Sequence, residues 1–151
     1  MAATAWRKYE SFPGFMGDTT INLSSHTFKA ALFQSTSNAA TVTTNQFYGD
    51  LTNEVANANG YTTGGATLTG VTWVKSGGTT TWDANDPSWT ASGGSIVARF
   101  AVIYDNTTAS KHLVAYCILD STPADITVSN GVTFTLTLNA SGIFTVTGMT
   151  T

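Results

Sequence analysis

The stretch 82–89, WDANDPSW, holds the densest group of side chains in the sequence that could bind a metal ion. Asp83, Asn85 and Asp86 supply hard oxygen ligands, and the first two have the D-x-N spacing that opens a calcium loop. The glycine and the terminal glutamate of such a loop are absent. Asp and Asn also form turns by bonding nearby backbone, and Asp86-Pro87 favours an extended-to-turn step. We therefore interpret the stretch as a hydrogen-bonded corner, keep calcium as the alternative, and predict no metal site.

Arg99 is the second chemically unusual residue, because it interrupts the apolar run 95–104. An unpaired charge on a central strand is costly to bury. The nearest candidate partners are Asp83 or Asp86, just upstream, followed by Glu54. Alternatively, Arg99 pairs with a neighbouring subunit across an interface. We predict a structural ion pair between Arg99 and Asp83 or Asp86, with no metal between them.

The other reactive side chains do not predict an active site. His26 and His112 lie in or beside predicted strands, and the sequence has no G-x-S-x-G motif. His112 and the single cysteine, Cys117, are five residues apart, which places them on opposite faces of a strand, away from a shared zinc ion. Three tryptophans could stack on sugar rings, so carbohydrate binding stays open: Trp73, Trp82 and Trp89. We predict no catalytic residue and no cofactor.

Composition predicts a single all-β domain. The chain has 151 residues, of which 29 are threonine and only 10% are charged. Threonine is β-branched and suits the polar face of a sheet. A weakly charged, threonine-rich exterior also suits a protein that packs against neighbours. Cys117 lies in the apolar run 113–119 and should be a buried, inert thiol.

Charge and hydropathy limit the partners. The net charge is −3 and the six basic residues are scattered, which disfavours nucleic acid as a partner. The start of the sequence has no apolar segment typical of a secretory signal, and no stretch has the length of a membrane span. We expect a protein made in a cytosol-like compartment that binds no membrane.

Alternating apolar and polar residues between glycine-rich turns predict an antiparallel β-sandwich, or a barrel-like variant, over residues 19–151. The segments 95–104 and 111–119 should form a central hairpin covered on both faces. In the segment 132–138, Val132 and every second residue after it should face the core. One short helical turn is expected near 47–56. The remaining predicted strands are 27–35, 66–75, 78–83 and 142–147.

Residues 1–18 are expected to form an N-terminal arm. Four aromatic residues recur there every three positions: Trp6, Tyr9, Phe12 and Phe15. The arm could fold back on its own domain or plug these side chains into a neighbouring subunit. We name the four residues as candidate interface anchors.

Three segments, in this order, carry a resemblance to a protein family: NEVANANGYTTGGATLTGVTW (53–73), WDANDPSW (82–89) and ARFAVIYDNT (98–107). The chain resembles small virion proteins of tailed bacteriophages, whose members share GYTxGGxxLxG, DAxDxxW and ARYAVIYD-like segments. Phe100 stands where the last of these usually has tyrosine. The resemblance covers roughly residues 27–147 and brings no catalytic residue with it.

The resemblance implies a non-enzymatic structural protein of the virion. We favour a capsid decoration (cement) protein that binds the major capsid protein and other copies of itself, as a trimer rather than a dimer. The alternative is a tail or tail-fibre component with a receptor- or carbohydrate-binding role. A glycan-active enzyme is the third and least favoured reading.

Overall fold

The computed structural model of the protein describes residues 3–122 and 124–148, and in them the fold is all-β, as the sequence predicts. These residues form twelve strands, all paired antiparallel, together with one short helix and a 3-10 turn at Tyr48–Asp50. The strands are β1 (Arg7–Lys8), β2 (Phe28–Phe33), β3 (Ala66–Thr67), β4 (Thr72–Ser76), β5 (Thr79–Asp83), β6 (Ser88–Thr90), β7 (Ile96–Ala98), β8 (Phe100–Asp105), β9 (Leu113–Ile118), β10 (Ile126–Val128), β11 (Thr133–Thr135) and β12 (Phe144–Thr147); the helix is α1 (Phe12–Gly17). No helix among the described residues is long and apolar enough to cross a membrane.

A five-stranded sheet in the order β1-β9-β8-β2-β3 forms the centre of the fold. The predicted central hairpin is confirmed, since β8 and β9 pair along their length. All residues of β8 are buried because the sheet is covered on both faces. On one face, Trp82, Trp89 and Ile126 from the smaller sheets pack against Phe28 and its neighbours. This layered packing is what makes the fold sandwich-like.

The other face of the central sheet is covered by the N-terminal segment and by the loop that follows β2. Tyr9 and Ala39 are fully buried there, against Phe33, Val102 and Tyr104. Side chains along a strand alternate between faces, so β2 supplies both cores. Each core is therefore built on the same three central strands.

The predicted continuous strand 95–104 is wrong, because it is broken at Arg99 into β7 and β8. Ile96 and Ala98 pack in the same core as Ala101, whereas an unbroken strand would put them on the opposite face. Arg99 supplies the extra residue that shifts the alternation, as a bulge does. β7 then leaves the central sheet and pairs with β10.

One smaller prediction is corrected. The strand predicted over 132–138 is regular only in β11, and Val132 is 51% exposed instead of facing the core. The short helical turn predicted near 47–56 is the 3-10 turn Tyr48–Asp50. The Asp50 carboxylate caps the start of that turn, because it accepts the backbone N–H groups of Gln46 and Phe47, each at 2.9 Å.

A three-stranded sheet, β12-β5-β4, extends from the core that contains Phe28 and Trp82. Its β4–β5 hairpin was predicted, and Gly77 adopts the positive φ of 60° that the tight turn requires. Trp73, Trp82 and Phe144 lie in register across the three strands and pack on the core. Both β4 and β12 are open edges of this sheet.

Residues 3–18 of the predicted N-terminal arm fold back on their own domain, which is one of the two alternatives that the sequence left open. β1 pairs with β9, with Arg7 opposite Tyr116. Tyr9 and Phe12 are 0% and 1% exposed, so the core of the same chain already holds two of the four proposed anchors. Phe15 is half-buried, with its ring 4.3 Å from that of His112. Trp6 is the remaining anchor and is only partly buried.

Candidate functional site

The acidic stretch 82–89 is a hydrogen-bonded corner, as predicted. Asp83 Oδ1 accepts the Ala84 N–H at 2.9 Å, and Asp86 Oδ1 accepts the Leu138 N–H at 2.8 Å. The Asn85 N–H donates to the Thr69 carbonyl at 2.8 Å. These bonds hold the corner to two other segments. Among the described residues, no group of three or more His, Cys, Asp or Glu side chains is placed to hold a metal ion.

Arg99 pairs with Asp125, so the predicted pair with Asp83 or Asp86 is wrong. Arg99 Nε lies 2.8 Å from Asp125 Oδ1, and the two side chains are 21% and 33% exposed. The antiparallel register of β7 and β10 sets Ile126 opposite Ala98, which brings the preceding aspartate next to Arg99. No local pattern predicts this pair, because it depends on how β10 pairs with β7, and β10 was not predicted as a strand.

Glu54, the third candidate partner of Arg99, is instead the centre of a tyrosine cluster. Tyr61 donates a hydrogen bond to Glu54 Oε1 at 2.6 Å, and Tyr48 donates to Oε2. The Gly64 N–H also donates to Oε1, at 2.7 Å. Tyr104 completes the cluster by donating to the Gly64 carbonyl at 2.8 Å. One carboxylate thus organises the loop 48–64 against the central sheet.

Burial changes the acidity of these phenols. It raises the pKa of Tyr104 to about 12, with a further contribution from the negative charge of Glu54. Burial, the hydrogen bond to Glu54 and its charge raise the pKa values of Tyr48 and Tyr61 further. Such phenols remain protonated donors at neutral pH, so the cluster is suited to holding loops in place.

His26 and Asp105 form a second polar pair. His26 Nδ1 lies 2.5 Å from Asp105 Oδ2, and the Asp105 side chain is fully buried. The other carboxylate oxygen, Oδ1, accepts the Thr107 N–H at 2.8 Å, which turns the loop after β8. His112 contacts the Thr108 hydroxyl at 2.9 Å instead of Cys117. Cys117 is buried as predicted, which raises the pKa of its thiol to about 12.

A groove of about 650 Å³ lies on the described surface, within the size range of ligand clefts. Residues 3–6 form one wall and residues 134–140 the other. Leu119 and Ile143, both buried, lie at its base. None of the described residues that line the groove is charged.

One wall of this groove continues the edge strand β11, and the other is the extended segment that precedes β1. The Leu136 N–H donates to the Pro87 carbonyl at 2.9 Å, so Leu136 turns its backbone groups towards β6. Backbone groups alternate along an extended strand, so those of Thr135 and Thr137 point away from β6. On the opposite wall, the Thr4 N–H bonds to the Ile118 carbonyl at 2.9 Å. The N–H groups of Trp6 and Thr137 make no backbone hydrogen bond within the described residues.

The groove could therefore bind an extended, uncharged chain or a neutral hydroxyl-rich ligand. Sequence reasoning singled out Trp6, which lines it, but missed Thr135 and Thr137. Their alternation with Phe134 and Leu136 indicated a strand and nothing about its unpaired edge. No family model, curated protein or solved structure matches this chain.

Proposed function

We propose that the protein is a non-enzymatic structural component of a tailed-bacteriophage virion, and that it decorates the capsid exterior as a cement protein. The observation that carries the proposal is the occurrence, in order, of the three segments 53–73, 82–89 and 98–107. They resemble segments of small virion proteins in both type and spacing.

The contacts of these three segments support a structural role. Glu54 in the first segment binds Tyr61 and holds a loop to the core. Asp86 in the second fixes Leu138, and Asp105 in the third binds His26. The polar residues in these three segments thus stabilise the fold, as expected for a structural component of a particle.

The surface supports the same proposal. Exposed positions in β4, β11 and β12 are mostly threonine and valine, with Val74 57% and Val146 38% exposed. Many copies of such a low-charge surface could bridge adjacent capsid subunits. Their summed interface area would then resist the pressure of the packaged DNA.

The proposal is tested by imaging intact particles of the phage that encodes the chain. We expect density for the domain on the capsid exterior, at a copy number set by the capsid lattice. Particles made without the protein should release their DNA at lower temperature, and added protein should restore their stability. Absence from the particle, or unchanged stability without it, would contradict the proposal.

A second candidate is a tail or tail-fibre component that binds a receptor or a carbohydrate. The groove favours it in one respect, because Trp6 and Phe134 line a surface that also carries threonine hydroxyls. Density at the tail tip, with binding to host-cell glycans on an array, would favour this function over capsid decoration.

A further inference from the structure

We propose that the groove between residues 3–6 and 134–140 receives the edge strand β12 of a second copy of this chain. The incoming strand would pair with the outer edge of the segment that begins at β11. This inference goes beyond virion membership, because it names a contact between copies and both of its surfaces.

The receiving surface is a strand edge with unused backbone groups. In the register of β11 with β6, Val132 accepts the Ala91 N–H at 2.9 Å and Leu136 donates to Pro87. Thr135 and Thr137 alternate with them inside the groove and point outward, whereas Thr133, on the same edge, lies outside the groove. An added strand satisfies such groups by main-chain hydrogen bonds, as in β-augmentation.

The groove is better suited to polypeptide than to sugar. Within the described residues, the backbone N–H groups of Thr137 and Trp6, one on each wall, make no backbone hydrogen bond. An extended chain presents donors and acceptors along both of its edges and can bond both walls at once. None of the described residues that line the groove is charged, so a charged segment would lose hydration there without gaining a partner from them.

The same chain contains one strand that matches these requirements. Among the sheet-edge strands of the described residues, only β4 and β12 are longer than three residues. β4 carries Lys75, whereas β12 has the uncharged sequence FTVT. Its last three residues are exposed.

The outer edge of β12 is also open. Gly148 donates to the Gly78 carbonyl at 2.8 Å, and Val146 lies opposite Thr80, so both turn towards β5. Thr145 and Thr147 therefore direct their backbone groups away from the sheet. β12 therefore presents an open edge that can pair with the open edge in the groove.

The contact joins two different surfaces, so it is heterologous. Each copy offers one groove and one strand, and successive copies form a closed ring or an open chain. Either arrangement links several copies to one another, which would suit a protein that covers a lattice.

The experiment measures the association of the full-length chain by sedimentation velocity over a range of concentrations. We expect concentration-dependent oligomers. Thr137→Pro should block the groove and Thr145→Pro the strand, each weakening association at least about tenfold by removing main-chain hydrogen bonds. Neither outward-facing N–H bonds to another strand in the part of the chain that the structure describes, so both variants should fold. Thr133→Pro is the matched control, because it has the same outward orientation but lies outside the groove.

A mixture of the two blocked variants gives the sharpest readout. Thr137→Pro keeps an intact strand and Thr145→Pro keeps an intact groove, so together they should form a dimer that grows no further. If a proline variant does not fold, Thr137→Lys and Thr145→Lys replace it, since a charge should be excluded from the groove.

Three results would overturn the proposal. The first is a wild-type chain that remains monomeric at all concentrations. The second is a pair of folded variants that associate as tightly as wild type or do not dimerise when mixed. The third is binding of maltohexaose, followed by tryptophan fluorescence, that Thr137→Lys abolishes while association is unchanged. Because the chain is assayed alone, these results are independent of its place in a virion.

Discussion

The Tyr61 hydroxyl joins a loop carboxylate to the central sheet: it donates to Glu54 Oε1 at 2.6 Å and accepts the Leu32 N–H at 3.0 Å. Tyr61 is only 2% exposed, so these bonds are shielded from water. The loop 48–64 has little regular structure of its own. Its position therefore depends on this polar cluster together with a short backbone bridge between Glu54 and Phe33.

Removing the Tyr61 hydroxyl should destabilise the fold. In Tyr61→Phe the ring remains, but Glu54 and Leu32 each lose a buried partner. We expect the free energy of unfolding to fall by about 1.5–3 kcal/mol, the range for hydrogen bonds to charged groups. Urea unfolding measures the change. Tyr116→Phe is the control, because its hydroxyl only accepts a 3.3 Å bond from Arg7 and its loss should cost less. Equal effects of the two variants would show that the cluster has no special role.

Stability should decline at alkaline pH. The ordinary tyrosine pKa is about 10, and burial raises the pKa of Tyr104 to about 12 in the folded protein. The unfolded chain thus loses this proton at lower pH than the folded chain does. The stabilisation is fully present below about pH 10 and is lost as pH rises towards about 12.

Urea unfolding at several pH values tests this dependence. Each buried tyrosine should contribute a slope approaching about 1.4 kcal/mol per pH unit above pH 10. Tyr9, Tyr48 and Tyr61 should add to it, since their pKa values are also raised by burial. Tyr104→Phe should reduce the slope by the contribution of one titrating group, at most about 1.4 kcal/mol per pH unit. A stability that is flat up to pH 12 would contradict the prediction.

The Arg99–Asp125 pair should contribute modestly. Both side chains are partly exposed, at 21% and 33%, so solvent screens their attraction. We expect a coupling energy of about 0.5–1 kcal/mol in a double-mutant cycle with Arg99→Ala and Asp125→Ala. Asp83→Ala is the control for the pairing that sequence reasoning favoured, and it should show no coupling to Arg99. A coupling to Asp83 larger than that to Asp125 would reverse the assignment.

The N-terminal segment should be required for folding. Phe12 is 1% exposed and its ring packs edge-on against Phe144 at 5.5 Å. Phe12→Ala should lower the free energy of unfolding by about 3–5 kcal/mol, whereas the exposed Glu10→Ala should change it little. Deleting residues 1–17 should prevent folding, because it also removes β1 and Tyr9. A truncated chain with native near-ultraviolet circular dichroism would disprove this.

Local pattern was enough to predict the all-β class and much of the core, but not the short strands β1, β6 and β10. Alternation along β8 and β9 predicted the central hairpin, because side chains of a strand point to opposite faces at fixed spacing. The corner at 83–87 was also predictable, since Asp, Asn and Pro restrict the backbone wherever they occur. These features depend on residues that are close together in the sequence.

Features that depend on how distant segments pair could not be predicted in this way. Arg99 meets Asp125 only because β10 returns beside β7, and the loop carboxylate of Glu54 meets Tyr61 and Tyr48 only after the loop closes on the central sheet. The same holds for the groove, whose walls are more than a hundred residues apart in the chain. The sequence by itself determined an all-β chain with a buried central hairpin and a weakly charged, threonine-rich exterior, because composition and alternation act locally. Tertiary structure decided which charges pair, that the N-terminal aromatic residues belong to the core and where strand edges remain open, because register between distant strands is set by the packing of the whole domain.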